Sequence, residues 1–452
     1  MTSIDHQYAE LRDGIRGAVT LPGEEGWDAA RGSWNLSVDQ RPAAVVDAAS
    51  ADDVQAAVQF AGREGLRVAP QSTGHGSEAL GALDGALLLK TGRMRNVSAD
   101  PDAGRAKAEA GARAGDVAAA AGAHGLAPVL GLSPTVGVTG LALAGGIGWL
   151  SRTYGLAANN VTGLEVVLAS GERKRVDSET EPDLFWALRG GGGRSAIVTS
   201  LELRAHRLTE LYGGMLVWPA ERVDDVLALY RELTLDAPDA LSLVFRFIAI
   251  PDIEGPPPPL RGRKIVALLA VNVGGEPDCL AQLRALGGTL ADTFKPIEPT
   301  ELVRVAGDPE DPAPARGSGF MLATLAEGAV QRLVDSIGSA ELSPLTILEL
   351  RHLGGALARP PEDHGALGAL SGTYSVFAGG VADSPDAATT VSAALDTLAK
   401  TLGPWAAEHA LLSSAVGGTD PASGFDAQSW ARLREIELRY DPGGLILSNR
   451  EP

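Results

Sequence analysis

One histidine sits where a histidine can do chemistry. His75 falls inside "PQSTGHGSEALG", residues 70–81, between Gly74 and Gly76. A neutral imidazole nitrogen is a nucleophile. A loop of small residues can bring it to a partner while its backbone N–H groups meet a phosphate. A second loop of similar texture, "GLSPTVGVTGLALAGGIGWLSRTYG", spans residues 131–155 and carries Gly137, Gly140, Gly145, Gly146 and Gly148. A glycine-rich turn entering a helix is an anion site. Two such loops, far apart in sequence, suit a pyrophosphate with a large group on either side. Neither is a Rossmann fingerprint: no G-x-G-x-x-G follows the first strand with an acidic residue in the right place after it. No Walker A lysine is present.

The elements that must position these loops are legible around them. Residues 43–49, AAVVDAA, read as a buried strand. Ser50 then caps a helix and Asp53 reaches back to the cap. Val54, Val58 and Ala61 follow at helical spacing, and Gly65 ends the helix. Residues 66–69 form the next strand, so a β-α-β unit leads directly into the His75 loop. Further strands are expected at 86–89, at 164–169 and 173–176 as a hairpin around Ser170-Gly171, and at 197–204 after four glycines. In that last strand Ile197, Thr199, Leu201 and Leu203 share one face, and Ser200, Glu202 and Arg204 the other. Helices are expected at 114–124, 182–189 and 428–440, with a closing strand at 445–447.

The bulk numbers set limits. A chain of 452 residues is too long for one core. Its net charge of −19 repels nucleic acid and anionic membranes. Cys279 is the only cysteine, so no intramolecular disulfide forms. Residues 117–151 hold no charged side chain, but Pro128, Pro134 and the glycines interrupt them. That stretch is expected in a soluble core rather than in a membrane. The start lacks an apolar signal region, and a cytoplasmic protein is expected.

With both loops in view, the chain resembles the berberine bridge enzyme-like flavoprotein oxidases, which have the PCMH-type FAD-binding fold. "RVAPQSTGHGS" is similar to the family's histidine loop and "SPTVGVTGLALAGGIGWLSRTYGLAANN" to its long glycine motif. "FWALRGGGGRSAIVTSLELR" and the ending "RYDPGGLILSN" are similar to its third and closing motifs. The resemblance implies an α+β protein with an FAD-binding domain at 1–206, made of two α/β subdomains. It also implies a substrate domain at 207–412 with an antiparallel sheet over the flavin, and a returning segment at 413–452.

The resemblance implies FAD bonded covalently to His75. Relatives often carry a flavin-linking cysteine where this chain has Ser133, so attachment through His75 alone is expected. Gln71, Ser72, Thr73, Gly74, Gly76 and Ser77 would hold the cofactor together with Val136, Gly137, Thr139, Gly140, Gly145 and Gly148. Ile197 and Val198 would run along its edge, and Asn449 would contact it. Valine at 136 favours oxygen access. The expected chemistry is hydride transfer from a substrate C–H beside O or N, then reoxidation by O₂. The partners are a small molecule and O₂, with no metal. A flavin-lined cavity used without redox turnover is the alternative.

The base is the least legible part. Phe425 stands where relatives often place a tyrosine, and it cannot ionise. Tyr374 in "SGTYSVFAGG" is the best phenol, with Arg351 or His352 of "ELRHLGGA" as the cation that would lower its pKa. Alternation puts Glu349, Arg351 and Leu353 on one strand face and Leu350, His352 and Gly354 on the other. Only one set can face a cavity.

Overall fold

A computed structural model describes residues 3–254, 258–414 and 419–448, with side chains from residue 8 onward. The β-α-β unit forms as the sequence dictates. Ser50 Oγ accepts the Asp53 N–H at 3.3 Å. The buried Asp53 carboxylate in turn accepts the N–H groups of Ala49, Arg16 and Gly17 at 2.8, 3.0 and 2.9 Å. One side chain thereby starts the helix Ala51–Glu64 and ties it to the chain before the first long strand. Val54, Ala57, Val58 and Ala61 of that helix pack on Val46, Leu87 and Leu89. Gly65, at φ 69°, ends it where a side chain would be strained.

Three sheets result. In the first, strands Ala44–Asp47, Leu87–Lys90 and Val68–Gln71 run parallel, with Ala18–Thr20 antiparallel at one edge. The expected closing strand is reduced to a single bridge between Val68 and Ile446. The reasons are local: the Asp441 carboxylate accepts the Leu445 N–H at 2.8 Å, which the rung before would need, and Pro70 has no N–H for the rung after.

The second sheet is antiparallel and built on Ile197–Arg207, which pairs with Arg105–Glu109, Val161–Val167 and Leu126–Pro128. The expected two-face alternation fails at its start. The register slips between Val198 and Ser200, and both Ile197 and Val198 are buried. The helix expected at 114–124 runs Ala114–Gly122, and the chain turns at Gly125.

The third sheet has eight antiparallel strands between Leu211 and Val381. One face carries Phe245, Leu350, Val376 and Ala378 and is covered by helices Val223–Leu235, Glu327–Ile337 and Pro385–Leu402. The other face carries Val217, Val244, Ala267 and Leu269, which share one core with Val161, Leu164, Leu201 and Leu203 of the second sheet. Two faces with different neighbours decide where the sheet's polar residues can act. Among the described residues no helix is long and apolar enough to cross a membrane.

Candidate cofactor and active site

The His75 loop leaves the strand Val68–Gln71 at its carboxyl end, beside the end of Leu87–Lys90. That edge of a parallel sheet is where ligands bind in α/β folds. Gly74 is at φ +83°, and a Cβ there would stand 2.6 Å from Ser33 Cβ, so only glycine fits the turn. The second loop lies against it. Gly137 bridges Arg113, and a Cβ on Gly137 would come within 2.8 Å of Ser72 Oγ. Two stretches far apart in sequence therefore meet where the Gly137 backbone lies against the Ser72 and Thr73 side chains. The third motif joins them through Gly192 N–H, which donates to Leu143 O at 2.8 Å.

His75 is held on three sides. Trp34 stacks on it. Thr73 Oγ1 lies 2.7 Å from Nδ1 and Thr135 Oγ1 3.3 Å from Nε2. Thr135 Oγ1 is in turn 3.1 Å from Ser133 Oγ. Burial, with the Arg113 charge nearby, pushes the imidazole down to about 4, so it is neutral near pH 7. Ser133, which stands where relatives often carry a flavin-linking cysteine, is linked to the histidine through Thr135.

The loops also contain polar atoms that nothing in the protein satisfies. Both atoms of the Gln71 amide, Ser72 Oγ and Thr139 Oγ1 are buried without a hydrogen-bond partner, and so are Trp34 Nε1 and Ser448 Oγ. Each such group costs about 1–3 kcal/mol unless something pairs with it. They gather on the two glycine loops and on the segments that flank them. Ser77 differs, because its hydroxyl donates to Ser33 at 3.0 Å. The arrangement fits a polar, phosphate-bearing ligand.

The comparisons agree. Residues 42–177 match the FAD binding domain family. Over 288 residues, 62% of the chain, the sequence is 32% identical to (R)-6-hydroxynicotine oxidase of Paenarthrobacter nicotinovorans. The structure of 6-hydroxy-D-nicotine oxidase from Arthrobacter nicotinovorans aligns with TM-score 0.75 and 25% identity, covering 95% of this chain and 96% of that one. Residues 42–177 are an FAD-binding domain, and the chain as a whole resembles the berberine bridge enzyme-like flavoproteins. The Physcomitrella patens BBE-like 1 structure shares its fold, with TM-score 0.85 at 20% identity over 99% of this chain and 98% of that one. Glucooligosaccharide oxidase of Sarocladium strictum is 40% identical over 190 residues, 41% of the chain. The alignments span 60% of the hydroxynicotine oxidase and 38% of the glucooligosaccharide oxidase. FAD is the cofactor of the matched domain, and the orphaned atoms of the two loops are suited to hold it.

In this FAD-binding chain the third sheet sorts the remaining site residues by face. Strands Ile347–His352 and Tyr374–Val381 pair with each other, with His352 opposite Tyr374 and Arg351 opposite Ser375. Tyr374 therefore shares the helix-covered face with His352. Its hydroxyl is 2.6 Å from Thr234 Oγ1 of the covering helix, and burial raises its pKa despite that bond. His352 Nε2 lies 3.2 Å from Arg152 Nη1, and burial, followed by that charge, pushes it down to about 3. The structure does not bring Tyr374 together with Arg351, so the expected pairing of phenol and guanidinium is corrected by the strand register.

Arg351 stands on the opposite face with Glu349, which it hydrogen-bonds through Nε. Glu349 also accepts from Arg246, which reaches Asp308 at 2.8 Å. Burial acts to raise the Glu349 carboxyl, but the two guanidiniums override it and hold it below the usual range. Among the described residues Arg351's terminal nitrogens make no hydrogen bond, and the side chain is half-buried.

Ile197 and Val198 are buried at the start of their strand. Phe425 packs flat near Trp430, centroids 6.0 Å apart. Asn449 lies outside the described residues. No cluster of three or more His, Cys, Asp or Glu that could hold a metal occurs among the described residues. Sequence reasoning missed Trp34, Thr135 as the bridge, and Arg246. "SPTVG" contains Thr135 in plain view, but nothing in the spacing tells that Trp34 or Arg246 reaches its partner.

Proposed function

We propose that this protein is an FAD-linked oxidase that oxidises a small molecule at a C–H beside oxygen or nitrogen, with O₂ as acceptor and H₂O₂ as product. The observation that carries the reading is the set of partnerless buried groups, Gln71, Ser72 and Thr139, on two glycine loops that meet at Gly137. FAD bound there supplies the hydride acceptor and the electron path to oxygen, and the protein supplies orientation and electrostatics. The backbone of residues 71–77 and 136–148 holds the pyrophosphate, and Ile197 and Val198 wall the cofactor. His75 is the point of covalent attachment, and Ser133, lacking a thiol, makes no second bond. Val136 leaves oxygen a path.

Substrate orientation falls to the sheet face that carries Glu349 and Arg351. Glu349, kept ionised between two arginines, fixes the Arg351 guanidinium, whose remaining donors orient a substrate oxygen or nitrogen. Relatives named for a hydroxynicotine and for oligosaccharides show how widely substrates of this family vary. A cytoplasmic place in bacterial small-molecule metabolism is part of the same reading, supported by composition alone.

The test is an anaerobic screen of alcohols, amines and sugars. A substrate should bleach the yellow flavin band under nitrogen, and air should restore it with release of peroxide. Turnover of any compound with no bleaching would replace the oxidase reading by a non-redox one.

A further inference from the structure

We propose that Thr135 prepares His75 for its bond to FAD: Thr135 accepts the Nε2 proton, leaves Nδ1 as the attacking lone pair, and hands that proton on to Ser133. The proposal rests on the FAD reading above and concerns this chain's own hydroxyls.

The geometry carries it. A neutral imidazole has one N–H and one lone pair, and its partners decide which nitrogen holds which. Thr73 Oγ1 approaches Nδ1 at 2.7 Å and Thr135 Oγ1 approaches Nε2 at 3.3 Å. A hydroxyl donor makes the shorter contact and a ring N–H the longer one. Thr73 therefore donates to Nδ1, and Nε2–H donates to Thr135. The Thr135 hydroxyl is left to donate to Ser133 Oγ, 3.1 Å away. Three side chains from two loops form one directed chain, His75 to Thr135 to Ser133. Trp34 stacks on the ring and blocks its rotation, and Trp34 N–H is fixed to Thr73 O at 3.0 Å. The Nδ1 lone pair points away from Thr135 and toward Thr73, whose hydroxyl holds it until the flavin's methyl carbon takes that place.

The step balances. His75 Nδ1 forms a bond to the carbon of the flavin's 8α-methyl group. One hydrogen leaves that methyl group, and one proton leaves Nε2 through Thr135 and Ser133. The two electrons pass to dioxygen, which departs with both protons as hydrogen peroxide. Thr135 is a positioning residue and forms no bond of its own.

The experiment uses the full chain purified as expressed, with Thr135→Val, Thr135→Ser and Ser133→Ala. Two quantities are read: flavin absorbance per native chain, and flavin remaining on the chain after acid precipitation. Thr135→Val is expected to bind flavin natively, yet to retain about tenfold less or lower after acid, the cost of a misaimed nucleophile. Thr135→Ser restores retention, because it keeps the hydroxyl. Ser133→Ala slows attachment when flavin-free chain is given FAD in air. On the isolated wild-type peptide the flavin is joined to Nδ1 of His75. Full labelling of Thr135→Val at the normal rate overturns the proposal, as does a bond to Nε2. So does a yellow wild-type chain that loses all its flavin in acid, which leaves the FAD reading standing. A colourless wild-type chain overturns the FAD reading itself, and this step with it. Should Thr135→Val fail to bind flavin at all, Ser133→Ala decides: attachment at the wild-type rate overturns the relay.

Discussion

Trp34 lies flat on His75, with ring centroids 4.3 Å apart and planes 17° apart. The contact joins more than two rings. Asn35, next in sequence, bridges to Ala313, and its side chain accepts the Ala315 N–H at 3.2 Å. Ala315 opens an edge strand of the third sheet. Asn35 thus ties the histidine loop to the edge of the third sheet while the indole covers the imidazole. Trp34→Ala is expected to cost about 1–3 kcal/mol in urea unfolding, with Trp34→Phe costing less, because a phenyl ring keeps part of the stack. In the same alanine variant the His75 pKa should climb from about 4 toward its ordinary value, since burial is what depresses it. An NMR titration of the flavin-free protein reads that shift. An unchanged pKa would mean that the loop, and not Trp34, dries the site.

Arg246 and Glu349 make the most deeply buried ion pair among the described residues, at 3% and 1% exposure. Removing one partner strands the other. Glu349→Gln is expected to destabilise by about 3–5 kcal/mol, and the double change Arg246→Met with Glu349→Leu should recover most of that. The sign with pH follows from the lowered carboxyl. The unfolded chain takes up this proton before the folded one does, so the pair's contribution is present above the unfolded value of about 4.3 and is lost as pH falls through the folded one. The acid limb of stability against pH should therefore flatten in Glu349→Gln.

His352 acts in a different window. Its folded value is about 3, because protonation would create a buried cation beside Arg152. The unfolded chain binds this proton near 6.5. Stability is full above that pH and falls as pH drops from there toward 3. His206, pushed down to about 4 by burial, adds to the same slope. Urea midpoints between pH 6.5 and 5 should vary less in His352→Gln, whose carbonyl can still accept from Arg152. An identical slope in the variant would show that His352 is not the group responsible.

The orphaned atoms of the cofactor loops predict a trade between stability and binding. In a His75→Ala background, where FAD binds reversibly, Ser72→Ala removes a buried hydroxyl that only a ligand can satisfy. The flavin-free protein should be no less stable for the change, while FAD affinity falls about tenfold. Added FAD should raise the melting temperature of His75→Ala, corresponding to about 2.7 kcal/mol at a hundredfold excess over Kd. Loss of stability in the flavin-free Ser72→Ala protein would assign the hydroxyl a structural part instead.

What could be read from the residues alone follows a physical division. Local signals came through: the Ser50 and Asp53 cap, the Gly65 stop and the hairpin at Gly171 each need only a few neighbouring residues. The two glycine loops stood out as candidate ligand loops because tight turns near phosphate leave little chemical choice. The closing strand was not, because Asp441 captures the Leu445 N–H and Pro70 has none to offer. The substrate face was half legible. Alternation separated Arg351 from His352, but only the register of the neighbouring strand, His352 opposite Tyr374, shows on which side the phenol falls. Contacts such as Trp34 with His75 or Arg246 with Glu349 depend on tertiary packing and leave no mark in spacing.

The division of the third sheet into two faces has one last consequence, which two variants can separate. Arg351 lies on the face whose neighbouring strand positions, Val244 and Ala267, pack toward the FAD-binding sheets, and its terminal nitrogens are unpaired among the described residues. Tyr374 lies on the face packed with helices, bonded to Thr234. If substrate sits against the first face, Arg351→Gln should lower kcat/KM by about a hundredfold, as expected when an orienting charged contact is lost. Arg351→Lys should recover only part of it, because a lysine keeps the charge but not the planar fork. Flavin content and its acid-stable fraction should stay at the wild-type level in both. Tyr374→Phe should leave turnover within about twofold while costing about 1 kcal/mol of stability, the worth of one buried hydrogen bond. The reverse pattern, a silent Arg351→Gln and an inactive Tyr374→Phe with its flavin intact, would place the chemistry on the helix side of the sheet and undo the assignment of the active face.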